Sequence, residues 1–388
     1  MLTSRVLAGI RFVKQLWLRT TTTLNPVSCQ WFRVAPHLAH DLNSVTNLTT
    51  FHSHYLTTAT FEAARQHTDK RLHGHSFSAS LQTQLPADFA PWQGGELDLL
   101  RTRWEALVQP LDYQHINTLI PEPTDLAIAH WLLQNAHDMG NVQKIALQST
   151  PKNGVEWHAN GTFHTWRRYT FYCAHRLPRV PFGHKCGNMH GHSFEVMLQA
   201  QDTSADALDA AWSPLHIQLN YTCLNDLTGL ENPTSEVLSS WIWQQLQPNL
   251  PSLQRVTVFE TTSCGAEFDG QTYRIWKDLT LDSAVRFAAA PAGNPRRQLH
   301  GHTYRLRLHL SAPLDTVMGW TVDFGDVKTL FTPIFKLLDH KPLYEIADLA
   351  DCDTAHIAHW ILSKARAVLP EISAVELHET KGHGVVVW

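Results

Sequence analysis

The tripeptide His-Gly-His occurs three times in this chain, at His73-Gly74-His75, His190-Gly191-His192 and His300-Gly301-His302. The spacings, 190−73=117 and 300−190=110 residues, are those of a small domain. Each copy runs straight into an alternating segment: SFSASLQTQL, SFEVMLQAQ and TYRLRLHL. Each is preceded by a short aromatic and small-residue strand: FEAAR from Phe61, FYCAH from Phe171, FAAAP from Phe287. Further along, Thr124, Thr234 and Thr354 each open an apolar helix, where a hydroxyl can accept an orphan N–H of the first turn. Each unit closes on a strand: KIALQST, RVTVFETT and AVELHET. An earlier helix is readable in the first and third copies, as LDLLRTRWEALVQPLD and VDFGDVKTLFTPIFKLLD. The unit therefore reads strand, strand, helix, helix, strand, with one more strand at the end. The copies are placed at 51–160, 161–278 and 279–388. An antiparallel sheet with two helices on one face makes each copy α+β.

Residues 1–50 stand outside the repeat. Arg5, Arg11, Lys14, Arg19 and Arg33 come before the first acid, Asp41. Such a start can be a transit peptide. It is read here as a loosely ordered extension, or as a cover for an open surface.

Composition excludes several function classes. Apolar residues are 43% and charged residues 17% of 388, enough to bury cores. A net charge of −4 argues against a general nucleic-acid binder. No run of about 18 apolar residues occurs, so no membrane-spanning helix is expected. Six scattered cysteines suggest a reducing, cytoplasmic setting. The 25 histidines make metal or proton chemistry worth seeking.

The middle copy carries that chemistry. Residues two apart on a strand share a face, so His190 and His192 point the same way. On the preceding strand Tyr169, Phe171, Cys173 and His175 share a face. If the two strands pair as a hairpin, His175 meets His190 and His192. A lone His-Gly-His is most often a pair of satisfied histidines; a third strand-borne His in phase changes that reading. Three imidazoles with one position open are the ligand set of a catalytic zinc site. Cys186 lies four residues before His190 in GHKCGNMHGH. Lys185 and a metal would lower its pKa and make it a nucleophile or base. Cys173, Cys223 and Cys264 lack such surroundings and read as packing residues or stay unassigned.

The middle copy, CAHRLPRVPFGHKCGNMHGHSFEV, then LNDLTGLENPTSEVLSSWIWQQL, then VFET, resembles the 6-carboxytetrahydropterin synthases of the queuosine pathway. These belong to the 6-pyruvoyltetrahydropterin synthase superfamily, with the T-fold, or tunnelling fold. The resemblance covers nearly all of the middle copy. It extends more weakly to the third (HGHTYRLRLHL, WTVDFGDVK, LLDHKPL, HET) and faintly to the first. The short spacer between Cys186 and His190 favours the queuosine-type enzymes over their biopterin-pathway relatives. The resemblance implies zinc ligands at His175, His190 and His192, a catalytic Cys186, and a pterin-gripping Glu260. It also implies an Asp-His pair in a Leu-Asp-His motif, acting with Cys in proton transfer.

At that motif the middle copy reads Leu219-Asn220-Tyr221, which cannot do the work of a carboxylate-oriented imidazole. The third copy keeps Leu338-Asp339-His340 and Glu379, but has Pro291 for the first zinc ligand and Arg296 for Cys. The first copy has Arg65, Asp69, Tyr113 and Gln148 at the four positions. The losses are complementary. In the family the Asp-His pair comes from a neighbouring subunit. Three tandem units would then form a pseudo-trimeric, closed twelve-stranded antiparallel barrel with helices outside and no open edges. The middle–third junction alone would hold His175, His190, His192, Cys186 and Glu260 together with Asp339 and His340. Glu379 is the weaker candidate for the pterin anchor.

The activity implied is zinc-dependent conversion of 7,8-dihydroneopterin triphosphate to 6-carboxy-5,6,7,8-tetrahydropterin, with release of acetaldehyde and triphosphate. Another pterin side-chain lyase, and a non-catalytic pterin-binding protein, are the alternatives. Family trimers stack in pairs, so a homodimer of pseudo-trimers is expected.

Overall fold

Each copy folds into the same series of elements in the computed structural model, which describes residues 52–67, 71–315 and 317–388. The 1–50 extension and Asp69 lie outside the described residues. The first copy comprises β1 (Ser53–Gln66), β2 (Leu72–Gln84), α1 (Glu96–Val108), β3 (Gln114–His115), α2 (Asp125–Asn135), β4 (Asn141–Thr150) and β5 (Asn153–His158). The middle copy comprises β6 (Phe163–His175), β7 (His190–Gln201), α3 (Ala205–Leu219), β8 (Thr222–Cys223), α4 (Ser235–Leu246), β9 (Leu253–Thr261) and β10 (Cys264–Phe268). The third comprises β11 (Tyr273–Val285), β12 (His300–Ser311), α5 (Phe324–Leu338), β13 (Lys341–Pro342), α6 (Thr354–Arg366), β14 (Ile372–Thr380) and β15 (His383–Val387). β11 runs across the expected 278/279 boundary.

Twelve long strands pair antiparallel in the order β10-β9-β7-β6-β5-β4-β2-β1-β15-β14-β12-β11, and a β10–β11 ladder closes the ring. The expected barrel is present, and its closure removes the edges that each four-stranded copy would expose. The two-residue strands β3, β8 and β13 pair in parallel with β1, β6 and β11.

Alternation of side chains decides which face meets the helices. On β12, Tyr304, Leu306, Leu308 and Leu310 are buried against α5 and α6. Arg305, Arg307 and His309 take the opposite face, inside the barrel. Each copy has its own apolar core between sheet and helices. Trp104, Trp212 and Phe331 hold equivalent places on α1, α3 and α5 and are buried in the three cores. Truncating any one to Ala would cost about 3–5 kcal/mol.

The helix starts follow the capping rule, with one shift. Thr124 and Thr234 accept the N–H groups of Ala127 and Val237. In the third copy the cap is Asp353, whose carboxylate accepts from His356, and Thr354 is already helical. The middle copy also has an early helix, α3, with Pro214 at the place of Pro333 in α5. The third first strand is displaced from the sequence reading. Leu281 faces Tyr304 as Phe171 faces Phe194, so the FAAAP segment at Phe287 follows the strand and is not part of it. Among the described residues no helix is long and apolar enough to cross a membrane.

Candidate active site

The β6–β7 ladder sets His175 opposite His190 and Cys173 opposite His192. Strand parity then turns His175, His190 and His192 to the helix side with Phe171 and Phe194. The imidazole centroids are 4.5 Å (His175–His190), 5.2 Å (His175–His192) and 5.0 Å (His190–His192) apart. One ring nitrogen of each lies within 4.8 Å of the other two.

Two rings have their tautomer fixed. His175 donates Nδ1–H to the Pro233 carbonyl at 3.1 Å, and His190 donates Nδ1–H to the Asn188 carbonyl at 2.8 Å. A carbonyl only accepts, so the lone pair is left on Nε2. The Nε2 atoms of His175 and His192 are buried without a hydrogen-bond partner. Burial, with His190 alongside, lowers the pKa of His175 to about 4. Burial also lowers His192, while the Glu260 carboxylate 3.5 Å away opposes it. The orphaned Nε2 atoms of His175 and His192, with His175 and His190 held from behind by carbonyls, fit a divalent cation such as zinc.

These rings open onto a cleft of about 630 Å³ between the middle and third copies. Cys186, Ser235, Glu236 and Glu260 line the middle-copy side; Lys277, Trp320, Asp323 and Lys328 line the other. Cys186 sits in the one-turn helix Lys185–Gly187, and its own amide donates to the capping His184 Nδ1. Its thiol pKa is raised, first by burial and then by the Glu260 and Asp323 carboxylates, against the pull of Lys185. Lys185 alone is therefore outweighed by burial and the two carboxylates, and any lowering of this thiol falls to a metal at the histidine cluster. Glu260 accepts a 2.5 Å hydrogen bond from Ser235 Oγ, and its other oxygen faces His192. Asp323 caps α5 and lies 3.6 Å from His184 across the junction.

Asp339 and His340 are not among the residues lining this cleft. Asp339 ends α5, where one oxygen accepts the Asp282 amide at 3.1 Å and the other accepts His340 Nδ1–H at 2.9 Å. That carboxylate raises the His340 pKa. His340 has φ +56° and a side chain 77% exposed. The same left-handed turn recurs at Tyr113 and Tyr221, and Asp112 and Asn220 accept the matching amides of Glu62 and Tyr172. Thus His175, His190, His192, Cys186 and Glu260 share one cleft, while Asp339 and His340 stand apart from it within the chain.

Strand register corrects two outer-copy assignments. The residue opposite His300 is Val285, so the place of the first ligand is taken by valine and not by Pro291. Gln148 faces Ser78 as Phe259 faces Glu195, so Ser149, not Gln148, stands where the middle copy has Glu260. Arg65 lies opposite His73 as expected. Ser235, Glu236, Lys277 and Lys328 were not singled out from sequence, although Ser235 and Glu236 lie within the PTSE cap motif.

Residues 164–271 and 274–388, more than half of the chain, match the family model for 6-pyruvoyl tetrahydropterin synthase. A 6-carboxy-5,6,7,8-tetrahydropterin synthase from a Synechocystis species is 30% identical over 118 residues, 26% of this chain and 90% of that protein. A dihydroneopterin monophosphate aldolase from Pyrococcus furiosus is 32% identical over 91 residues, 23% of this chain and 76% of that protein. A solved 6-pyruvoyl tetrahydropterin synthase from Caenorhabditis elegans aligns over 29% of this chain and 92% of its own, with 17% identity and a TM-score of 0.27.

Proposed function

The chain belongs to the 6-pyruvoyl tetrahydropterin synthase family, and from that premise we propose that it converts 7,8-dihydroneopterin triphosphate to 6-carboxy-5,6,7,8-tetrahydropterin, releasing acetaldehyde and triphosphate. The observation that carries this reading is the middle–third cleft, where a three-imidazole cluster, a cysteine and a carboxylate meet two lysines. His175, His190 and His192 would hold the metal, taken as zinc, which supplies Lewis acidity toward the side-chain oxygens of the substrate.

The chain's own residues do the rest. Glu260, steadied by Ser235, accepts N–H groups from the amino and ring positions of the pterin. Cys186 moves a proton on one face of the side chain. Lys277 and Lys328 hold the phosphate tail. The repeat supports that last assignment. Arg167 lies opposite Leu198 as Lys277 lies opposite Leu308, and Asp209 holds the place of Lys328. At the first–middle junction Arg167 and Asp209 neutralise each other. Neither lysine has an ion-pair partner among the described residues, so the middle–third cleft keeps two cations for a polyanion.

His340, oriented by Asp339, acts on the opposite face of the substrate side chain. Because it stands exposed and outside its own cleft, it enters the site of a second copy in a homodimer of pseudo-trimers.

The test is incubation of the zinc-loaded full chain with dihydroneopterin triphosphate and mass identification of the products. The 6-carboxy product with acetaldehyde supports the reading. A 6-pyruvoyl product, a 6-hydroxymethyl product with glycolaldehyde, or no turnover overturns it.

A further inference from the structure

Arg65 and His175 hold the same place in the repeat, but one is a fixed cation and the other an imidazole. Both are buried, and both donate to the same carbonyl of their copies: Arg65 Nη1 to Pro123 at 2.9 Å, His175 Nδ1 to Pro233 at 3.1 Å. Arg65 then pairs with Asp125 at 2.6 Å, where the middle copy has the neutral Ser235. Its guanidinium lies over Phe77, and the His175 ring packs on the equivalent Phe194. His73 and His75 remain beside it, their ring centroids 4.8 Å apart.

The third copy carries a second such cation. Arg296 stands four residues before His300, as Cys186 stands before His190. Its guanidinium binds Glu379 at 3.1 and 2.7 Å and Asp98 at 2.6 and 2.7 Å. Glu379 holds the place of Glu260, and Asp98 is on α1 of the first copy. A planar fork of N–H donors matches two carboxylates in this way, and leaving the buried Glu379 carboxylate unpaired would be costly.

We infer that the outer copies carry self-occupied sites. In the first copy Arg65 takes the place of a metal ligand and sets a fixed cation against His73 and His75. Arg296 fills the third–first junction as a built-in guanidinium ligand. One substitution at either place reopens a binding site that its neighbours still frame. In the first copy that site becomes a three-imidazole metal site once zinc displaces the 2.7 Å hydrogen bond that now joins His73 Nδ1 to His75 Nε2. Between Asp98 and Glu379 it accepts a planar N–H-donating cation the size of guanidinium. The inference rests on the metal reading of the middle copy only for the choice of zinc as a probe.

Two variants of the full chain test it. Arg65→His should bind one more zinc per chain than the unsubstituted protein, by elemental analysis after gel filtration, whereas Arg65→Ala should gain none. Arg296→Ala should unfold at a lower temperature. Millimolar guanidinium should raise that temperature more than sodium chloride at equal ionic strength, and should not do so for the unsubstituted chain. A folded Arg65→His with no added zinc, or an Arg296→Ala protein indifferent to the choice of salt, overturns the inference. If Arg65→His fails to fold, the Arg296 arm decides. Zinc gain is counted as a difference and guanidinium rescue needs no substrate, so both remain readable if the proposed reaction does not occur.

Discussion

Glu236 on α4 of the middle copy accepts two hydrogen bonds on one carboxylate oxygen from Thr321 of the third copy, from the amide at 2.9 Å and the hydroxyl at 3.2 Å. The Asn232 amide donates to the Met318 carbonyl at 2.7 Å beside it, and the Thr234 hydroxyl donates to the Gly319 carbonyl. This seam fixes the segment ahead of α5 against the start of α4. It thereby holds Trp320, Asp323 and Lys328 across the cleft from the histidine cluster.

That seam should be sensitive to pH. Burial pushes the Glu236 carboxyl up to about 7 from an ordinary value of 4.5. The folded chain therefore holds a proton that the unfolded chain releases near pH 4.5, and stability falls as pH rises from about 4.5 to about 7. The full effect is about 3 kcal/mol. In metal-free protein, Glu236→Gln should match the unsubstituted chain near pH 4.5 and gain stability over it as pH rises, the difference being complete above about 7. Parallel curves of melting temperature against pH would show that Glu236 is not the titrating group.

Glu260 and Glu379 hold equivalent places and should respond oppositely. Glu260→Gln removes charged acceptance of the pterin N–H groups and should lower kcat/KM by about 10–100-fold. Glu379→Gln should leave kcat/KM within about twofold, yet lower the melting temperature, because breaking a buried ion pair costs about 3–5 kcal/mol. The reversed pattern would place the substrate in the third copy.

Lys277→Ala and Lys328→Ala should each raise KM for the triphosphate substrate about tenfold, with kcat little changed. Inhibition by unphosphorylated dihydroneopterin should stay as it was. Equal weakening of both ligands would assign the lysines to the ring or to the fold rather than to the phosphate tail.

Cys186→Ala and His340→Ala should each reduce turnover about 10²–10⁴-fold while sparing bound metal. A mixture of the two inactive chains, exchanged through mild denaturation, should recover roughly a quarter of normal activity by random pairing in a two-fold dimer. Recovery follows only if His340 serves the partner's cleft. A mixture that stays inactive would return the Asp339–His340 pair to its own chain.

Strand parity made the histidine cluster legible in the sequence, because a period of two places His175, His190 and His192 on one face wherever the strands pair in register. The repeat likewise exposed the barrel. The position opposite His300 was not legible. The loop from Phe287 to Pro291 has the composition of the FYCAH strand, while the true strand ends at Val285. The burial of the Cys186 thiol and the carboxylates that raise its pKa, Glu260 and Asp323, were not legible, because they come from segments distant in sequence. The motif content of Leu338-Asp339-His340 was readable. Its absence from the cleft lining was not, since that depends on where the turn after α5 meets β11, at Asp282 to Ala284.

Metal stoichiometry tests the central claim, that three repeated His-Gly-His units leave one working site. The purified full chain, loaded with zinc and freed of excess, should hold one ion. His175→Ala should abolish binding, and His73→Ala and His300→Ala should leave it unchanged. Three ions per chain, or loss of binding on substituting His73 or His300, would contradict the account.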